Sequence, residues 1–313
     1  MNELPTFEDV QAAARRIEPF VHRTPVMTSA TLDRTVGARV FFKCENLQKV
    51  GAFKARGAVN AVLSLDDDTA ARGVVTHSSG NHGQALAYAA SIRGIPCAVV
   101  MPDTAPQVKV DAVRGYGADV VFCPQSEREI TAERVRGERG AVIVHPFNDP
   151  DVIAGQGTAA LELVHEVEDL DLLVAPIGGG GLLSGTALVA EAVLPSAAVV
   201  GAEPSLVDDA YRSLVSGFRQ PRVPRPTTIA DGLLTGIGEI AFEILRQRKI
   251  EVVTVSEEQI VAAARFFAER MKLVVEPSGA TSLAAVSEMG ERVSGMRVGV
   301  IISGGNTDFA WLH

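Results

Sequence analysis

Leu172-Leu173-Val174-Ala175-Pro176-Ile177-Gly178-Gly179-Gly180-Gly181-Leu182 decides the fold. Six apolar residues without polar alternation predict a strand buried on both faces, as in a parallel sheet. Four glycines follow, and then a helical run over 182–193. Tetraglycine lets the backbone turn tightly and bring its N–H groups close to an anion, and the helix start adds partial positive charge. The run is neither a Walker loop nor a GxGxxG fingerprint with an acidic residue on the next strand. Alone, it is also compatible with a tight turn that holds no ligand.

Working outward, the same rhythm recurs. Val74-Val75-Thr76-His77 leads into Ser78-Ser79-Gly80-Asn81-His82-Gly83-Gln84-Ala85, where hydroxyls, an amide and N–H groups converge on a helix start. Such a loop suits a carboxylate, although a plain N-cap needs only one of its serines. Further strands are predicted at 40–43, 98–101, 120–123, 142–145, 199–202, 252–255 and 298–302, with helical stretches between them. Ser256-Glu257-Glu258-Gln259 reads as a capping box for a helix running to about Met271, and Ser126 with Glu129 as a second helix start. Gly94-Ile95-Pro96 and Gly115-Tyr116-Gly117 stop helices ahead of the next strand. The alternation predicts an α/β fold with ligands at the carboxyl ends of its strands. Residues 218–228, rich in Pro and Arg, read as a surface loop.

Composition narrows the class. A chain of 313 residues with 47% hydrophobic content predicts two domains with ample core. A net charge of −9 with interspersed signs argues against nucleic acid as the main partner. Cys44, Cys97 and Cys123 are odd in number and fit no zinc or redox spacing, so buried thiols are expected. The N-terminus lacks a signal-peptide pattern and no apolar stretch approaches membrane-spanning length, so a cytoplasmic protein without membrane contact is the expectation. Asp66-Asp67-Asp68 and residues 127–139 read as solvated turns or helix faces. His22, His145 and His165 show no ligand spacing.

Gly51-Ala52-Phe53-Lys54-Ala55-Arg56-Gly57-Ala58 supplies the chemistry. It sets one lysine beside an aromatic ring among small residues. Burial there would lower the amine pKa and leave it ready to form an imine. Combined with the Ser78–Gly83 loop, the tetraglycine and Ser303-Gly304-Gly305-Asn306, it describes a pyridoxal 5'-phosphate (PLP) site.

These motifs, with Ala202-Glu203-Pro204-Ser205 and Glu276-Pro277-Ser278-Gly279, stand in the order found in the fold-type II PLP enzymes. From about Phe7 to Asp308 the chain resembles their threonine/serine dehydratase and serine racemase group; His77 and His82 set it apart from the cysteine synthases. The resemblance implies a two-domain α/β fold of the tryptophan synthase β type, with parallel-rich sheets flanked by helices. Residues 1–71 and 142–313 would form the large PLP-binding domain and 72–141 a small inserted one. It implies that Lys54 bonds covalently to PLP, Phe53 packs beside the ring and Asn81 meets the phenolic oxygen. Gly178, Gly179, Gly180 and Gly181, with the Leu182 N–H, would hold the phosphate. Ser303 would face the pyridine nitrogen, and Glu276 would lie near the cofactor. A hydroxyl facing that nitrogen does not keep it protonated, so prompt loss of a β-substituent is favoured over a long-lived carbanion. Ser78, Ser79, Asn81 and His82 are expected to bind the substrate carboxylate, with Ser79 also a catalytic acid on the cofactor face opposite Lys54.

The implied activity is α,β-elimination from L-threonine or L-serine, giving a 2-oxo acid and ammonia. Serine racemisation and 3-hydroxyaspartate dehydration are close alternatives, and a non-catalytic PLP or amino-acid binder is a remote one. The group usually has serine where this chain has Ala52, and alanine occurs in microbial members of the two alternative activities. Glu203, the Val207 carbonyl and Asp209 resemble a divalent-cation loop for Mg²⁺, with Ca²⁺ or Mn²⁺ as alternatives. The other reading of that loop is an acidic cap on the following helix. A homodimer is implied, and a regulatory domain after the Ser303 loop is not expected.

Overall fold

A computed structural model describes residues 4–78, 80–224 and 226–312. Among these described residues ten strands form two sheets. In chain order they are β1 Val26–Thr28, β2 Arg39–Cys44, β3 Val74–His77, β4 Cys97–Pro102, β5 Asp119–Cys123, β6 Val142–Ile143, β7 Leu172–Pro176, β8 Ala198–Pro204, β9 Glu251–Val255 and β10 Arg297–Ile302. The larger sheet has the order β1-β2-β10-β7-β8-β9 and the smaller β5-β4-β3-β6. Only β1 runs antiparallel, against β2. The smaller sheet is parallel throughout.

The continuous apolar strands are explained by two cores, one on each face of the larger sheet. Leu173 and Ala175 of β7 face one core, with Ile301 of β10 and Phe41 of β2. Leu172, Val174, Val298, Val300, Val40 and Phe42 face the other. Alternate residues thus point to opposite faces, and both faces are covered by helices. Pro150–Glu166 and Gly181–Val193 pack on the first face, Glu257–Phe266 and Pro277–Met289 on the second.

All nine predicted strands are present. The short β1 is additional; three residues with one exposed position carry no periodic signal. β6 is shorter than expected because the chain turns at His145, whose Nδ1 accepts the Asn148 N–H at 2.9 Å. Since β6 pairs with β3, the smaller sheet reaches past Ala141, the boundary expected from sequence. The Ser256 capping box is formed, and the helix it opens widens into a π turn at Phe267–Met271. The Ser126 cap is not. Gln125–Glu127 is a 3-10 turn, and the helix Arg128–Arg139 begins without a side-chain cap. The three cysteines are buried and free, and burial pushes the Cys44 and Cys97 thiols up to about 12. Among the described residues no helix is long and apolar enough to cross a membrane.

Candidate active site

The carboxyl ends of strands from both sheets border one cleft of about 1180 Å³. β2 leads toward Lys54, β3 into Ser78 and Asn81, β6 into His145, β7 into the tetraglycine and β10 into Ser303. Tetraglycine and the Asn81 loop, one from each sheet, thus face the same space. Ser79 lies outside the described residues.

Lys54 opens the helix Lys54–Ser64. Its Nζ stands 5.0 Å from the centre of the Phe53 ring and donates to the Pro146 carbonyl at 2.7 Å. Burial lowers the amine to about 8, against an opposing pull from Glu276. A neutral amine is therefore accessible near physiological pH, as imine formation and proton abstraction both require. The backbone around it is tied to the Ser303 loop. Phe53 N–H donates to the Ser303 carbonyl at 2.9 Å, Gly305 N–H to Gly51 at 2.9 Å, and Ala52 forms a bridge with Gly304.

The tetraglycine is sterically obligatory at two positions. A Cβ on Gly179 would stand 2.1 Å from the Phe147 ring, and one on Gly180, at φ +87°, would stand 2.6 Å from Ala241 Cβ. The helix Gly181–Val193 that follows has no side-chain cap, so its first N–H groups face the cleft as donors for an anion. The fit to PLP is direct. A neutral-capable lysine, an uncapped glycine-lined helix start and the buried Ser303 share one cleft.

Glu276 does lie in this group. Asn81 Nδ2 donates to its two carboxylate oxygens at 3.0 and 3.2 Å, and the Asn306 N–H adds a bond at 3.1 Å. Burial raises Glu276 to about 7, with Asp231 adding to the shift and Asn81 opposing it. Asn306, the last residue of the late polar loop, also donates its side-chain amide to Asn81 Oδ1 at 2.9 Å and to the Val50 carbonyl at 2.7 Å. It couples three loops, a role that its motif alone did not disclose.

His82 lines the same cleft. Its ring is buried, and Nε2 donates to the Val144 carbonyl at 3.1 Å. Burial, then Lys54, hold it well below its usual range, so the ring is neutral and turned toward β6. The Ser78 hydroxyl accepts the Gly80 N–H at 3.2 Å.

Several lining residues were not identified from sequence. His145, unassigned there, lies 5.7 Å from His77 ring to ring, and burial lowers it to about 4. Arg128 belongs to the charged run expected to be solvated, yet it is half-buried on the cleft. The loop 218–228 brings Arg219 and Arg222 to the same rim. A polar residue just after a strand's carboxyl end is the signal for His145. No comparable signal existed for the arginines, which come from a helix start and an irregular loop.

The proposed cation loop sits at the end of β8. Glu203 is buried, and its two oxygens accept the Ala210 and Tyr211 N–H groups at 2.9 and 2.8 Å. Asp209, also buried, accepts the Ile237 N–H at 2.8 Å. Burial raises Glu203 to about 8, and Asp209 and Asp208 add to the shift. Among the described residues neither Glu203 nor Asp209 has a cationic ion-pair partner, and no group of three or more His, Cys, Asp or Glu side chains could hold a metal.

Comparison with known proteins agrees with this geometry. A family model described as pyridoxal-phosphate dependent enzyme matches residues 17–304. The chain is 50% identical over 307 residues to a beta-hydroxyaspartate dehydratase of Paracoccus denitrificans, covering 97% of each. It is 48% identical to the crystal structure of serine racemase from Dictyostelium discoideum, with a TM-score of 0.93 over 97% of this chain and 99% of that one. It also matches threonine deaminase isoform 2 from Solanum lycopersicum at 31% identity and TM-score 0.93, covering 99% of this chain and 90% of that one.

Proposed function

The chain belongs to the pyridoxal-phosphate dependent enzymes, with the dehydratase and racemase chemistry of its relatives, and we propose that it removes water from small 3-hydroxy amino acids to give a 2-oxo acid and ammonia. The observation that carries this reading is the Lys54 amine, lowered to about 8 and open to a cleft that also holds the tetraglycine helix start and Ser303.

Bound PLP supplies the electron sink that acidifies Cα–H and lets a β-substituent depart. Lys54 would be its attachment point and the base that takes the substrate's Cα proton. The uncapped N–H groups from Gly178 to Leu182 hold the phosphate. Asn81, itself held by Glu276 and Asn306, orients the ring oxygen. The Asn81 loop, with Ser78, Ser79 and the His82 backbone, receives the substrate carboxylate. The β-hydroxyl would leave as water, taking up one proton for the one Lys54 removes from Cα, and hydrolysis of the released enamine would yield the oxo acid and ammonia.

The cleft favours one substrate within this class. Arg128 and Arg222 line the same rim, and among the described residues neither is held in a salt bridge. Burial, then the neighbouring Arg222, lowers the Arg128 guanidinium. Glu129, on the same cleft, offsets part of this charge, and two cations brought together outside any salt bridge suit a second carboxylate, which 3-hydroxyaspartate has and serine and threonine lack. The test is a panel of L- and D-serine, L-threonine and the 3-hydroxyaspartate stereoisomers, scored for oxo acid and for inversion. Arg128→Ala and Arg222→Ala should each lower kcat/KM for 3-hydroxyaspartate by about 10- to 100-fold, the worth of a charge-assisted hydrogen bond, and for L-serine far less. Equal losses on both substrates remove the dicarboxylate preference.

Racemisation of serine is the second reading, favoured by Ala52 and by the serine racemase relatives. It needs an acid on the cofactor face opposite Lys54, the role proposed for Ser79. Ser79→Ala should then suppress D-serine formation more than pyruvate formation, because elimination needs no proton at Cα from that face. Equal suppression makes Ser79 a binding residue. We further propose Mg²⁺ at Glu203, Val207 and Asp209, a small domain at residues 72–141 extended through β6, and a homodimer.

A further inference from the structure

Behind the cleft wall four charged side chains are buried together. Lys43, Glu45 and Arg56 have no exposed surface, and the Glu162 side chain is 21% exposed. Arg56 grips both carboxylates. Its Nε and Nη2 donate to Glu45 at 2.7 and 2.8 Å, and its Nη1 and Nη2 to Glu162 at 2.7 and 2.9 Å. Lys43 Nζ lies 2.6 Å from Glu162 and donates to the Thr24 carbonyl at 2.6 Å. Burial acts to lower the Arg56 guanidinium, but Glu45 and Glu162 outweigh it and hold it raised. The charges balance at two of each sign.

Stability is a weak explanation for such a cluster. Desolvation offsets much of the attraction between buried ions, and apolar replacements of similar volume often leave a fold equally stable. Orientation is a stronger one. Arg56 stands two residues after Lys54 on the first turn of the same helix, about 200° around its axis, so one faces the protein when the other faces the cleft. That turn has no side-chain cap of its own. Two N–H groups at it reach outside the helix: Phe53 to the Ser303 carbonyl at 2.9 Å, Gly57 to Gln156 Oε1 at 3.1 Å. Arg56 is the third tether. Through Glu45 it is fixed to the end of β2, and through Glu162 and Thr158 to the helix Pro150–Glu166. A guanidinium held bidentately on two sides has one orientation, which a lysine at the same place would not reproduce.

We propose that Arg56, with Glu45, Glu162 and Lys43, is a positioning device that fixes the rotation of the first helical turn and so aims the Lys54 amine into the cleft. It rests on the reading of Lys54 as attachment point and proton acceptor. Two variants test it on the PLP-loaded enzyme: Arg56→Lys, which keeps the charge, and Arg56→Met with Glu45→Met, which removes one charge of each sign at similar volume. The measurements are Tm, kcat and KM, and the pH midpoint of the absorption of the lysine-bound cofactor. Both variants should melt close to the wild type, keep KM and lose kcat by about 10- to 100-fold, as a misaimed reacting group does. The absorption midpoint should shift in both. Wild-type kcat and midpoint in a folded variant overturn the proposal. So does a loss of kcat that follows Tm with the midpoint unmoved, and so does failure of both variants to fold; each assigns the cluster to stability. Lys54→Ala separates the underlying reading: if it keeps the lysine-bound absorption and turnover, Lys54 is not the attachment point, whatever Arg56 shows.

Discussion

Glu276 illustrates how one buried carboxyl links stability to the site. It is raised from 4.5 to about 7 by burial, then by Asp231. A carboxyl that binds its proton more tightly in the folded state contributes stability that is fully present below pH 4.5 and is lost as pH rises through about 7. In cofactor-free protein, Glu276→Gln should therefore flatten part of the decline in stability across that window. The difference from wild type should be on the order of 3 kcal/mol. Denaturant titrations at intervals across the window would measure it, and parallel curves for the two proteins would exclude Glu276 as the source. At this scale the sequence was most legible in which residues meet: Lys54, Asn81 and Ser303, far apart in the chain, line one cleft. The orientation of the His82 ring was not legible, because a histidine in a polar loop can turn either way, and the Val144 carbonyl just beyond the neighbouring strand holds it. Asn306 stood in view within its motif, but its three partners come from the 50s, the 80s and Glu276, and pairings that distant leave no local trace.

Elements carry the next level of constraint. The turn between β7 and the helix Gly181–Val193 tolerates only glycine at Gly179, because a methyl there meets the Phe147 ring at 2.1 Å. Gly179→Ala must displace Phe147 or the loop itself, and overpacking of that kind costs about 1–3 kcal/mol. The loss should appear as weaker PLP binding, by about tenfold or more, with a smaller change in the Tm of cofactor-free protein. Fluorescence titration of the apoprotein would report it, and wild-type affinity would show that the loop shifts freely. The acidic loop after β8 makes a separate prediction. If Mg²⁺ binds there in the native state alone, a chelator lowers Tm and Mg²⁺ restores it, whereas the Glu203→Ala, Asp209→Ala double variant responds to neither. Equal responses in the two proteins would leave the loop as a helix cap, the role its bonds to Ala210 and Tyr211 already serve. Strands were legible because burial on both faces writes an uninterrupted apolar run into the chain. The Ser126 cap was not, because Arg128–Arg139 starts from a 3-10 turn instead of a side-chain cap.

For the whole molecule, the two sheets must approach each other for the cleft to work. Asn81 reaches across it to Glu276, and at its rim Lys109, from the helix between β4 and β5, pairs with Asp231 at 2.9 Å. That pairing joins segments 122 residues apart and leaves no local trace in the sequence. Under the proposed function, closure of the cleft would exclude water around the substrate carboxylate, and a contact present only when closed would favour bound substrate. The pair is 36% and 53% exposed. An ion pair of that kind is worth at most about 1 kcal/mol and is screened by salt. Lys109→Met should accordingly raise KM by no more than about fivefold while kcat holds or rises, since opening for product release becomes easier. Added salt should raise the KM of the wild type toward that of the variant and leave the variant nearly unchanged. Lys109 also holds Glu276 down slightly against Asp231, so its loss should shift the Glu276 titration upward. A variant whose KM and salt response match the wild type would show that Lys109 and Asp231 merely meet at the rim, and that closure depends on the Asn81 bonds inside the cleft.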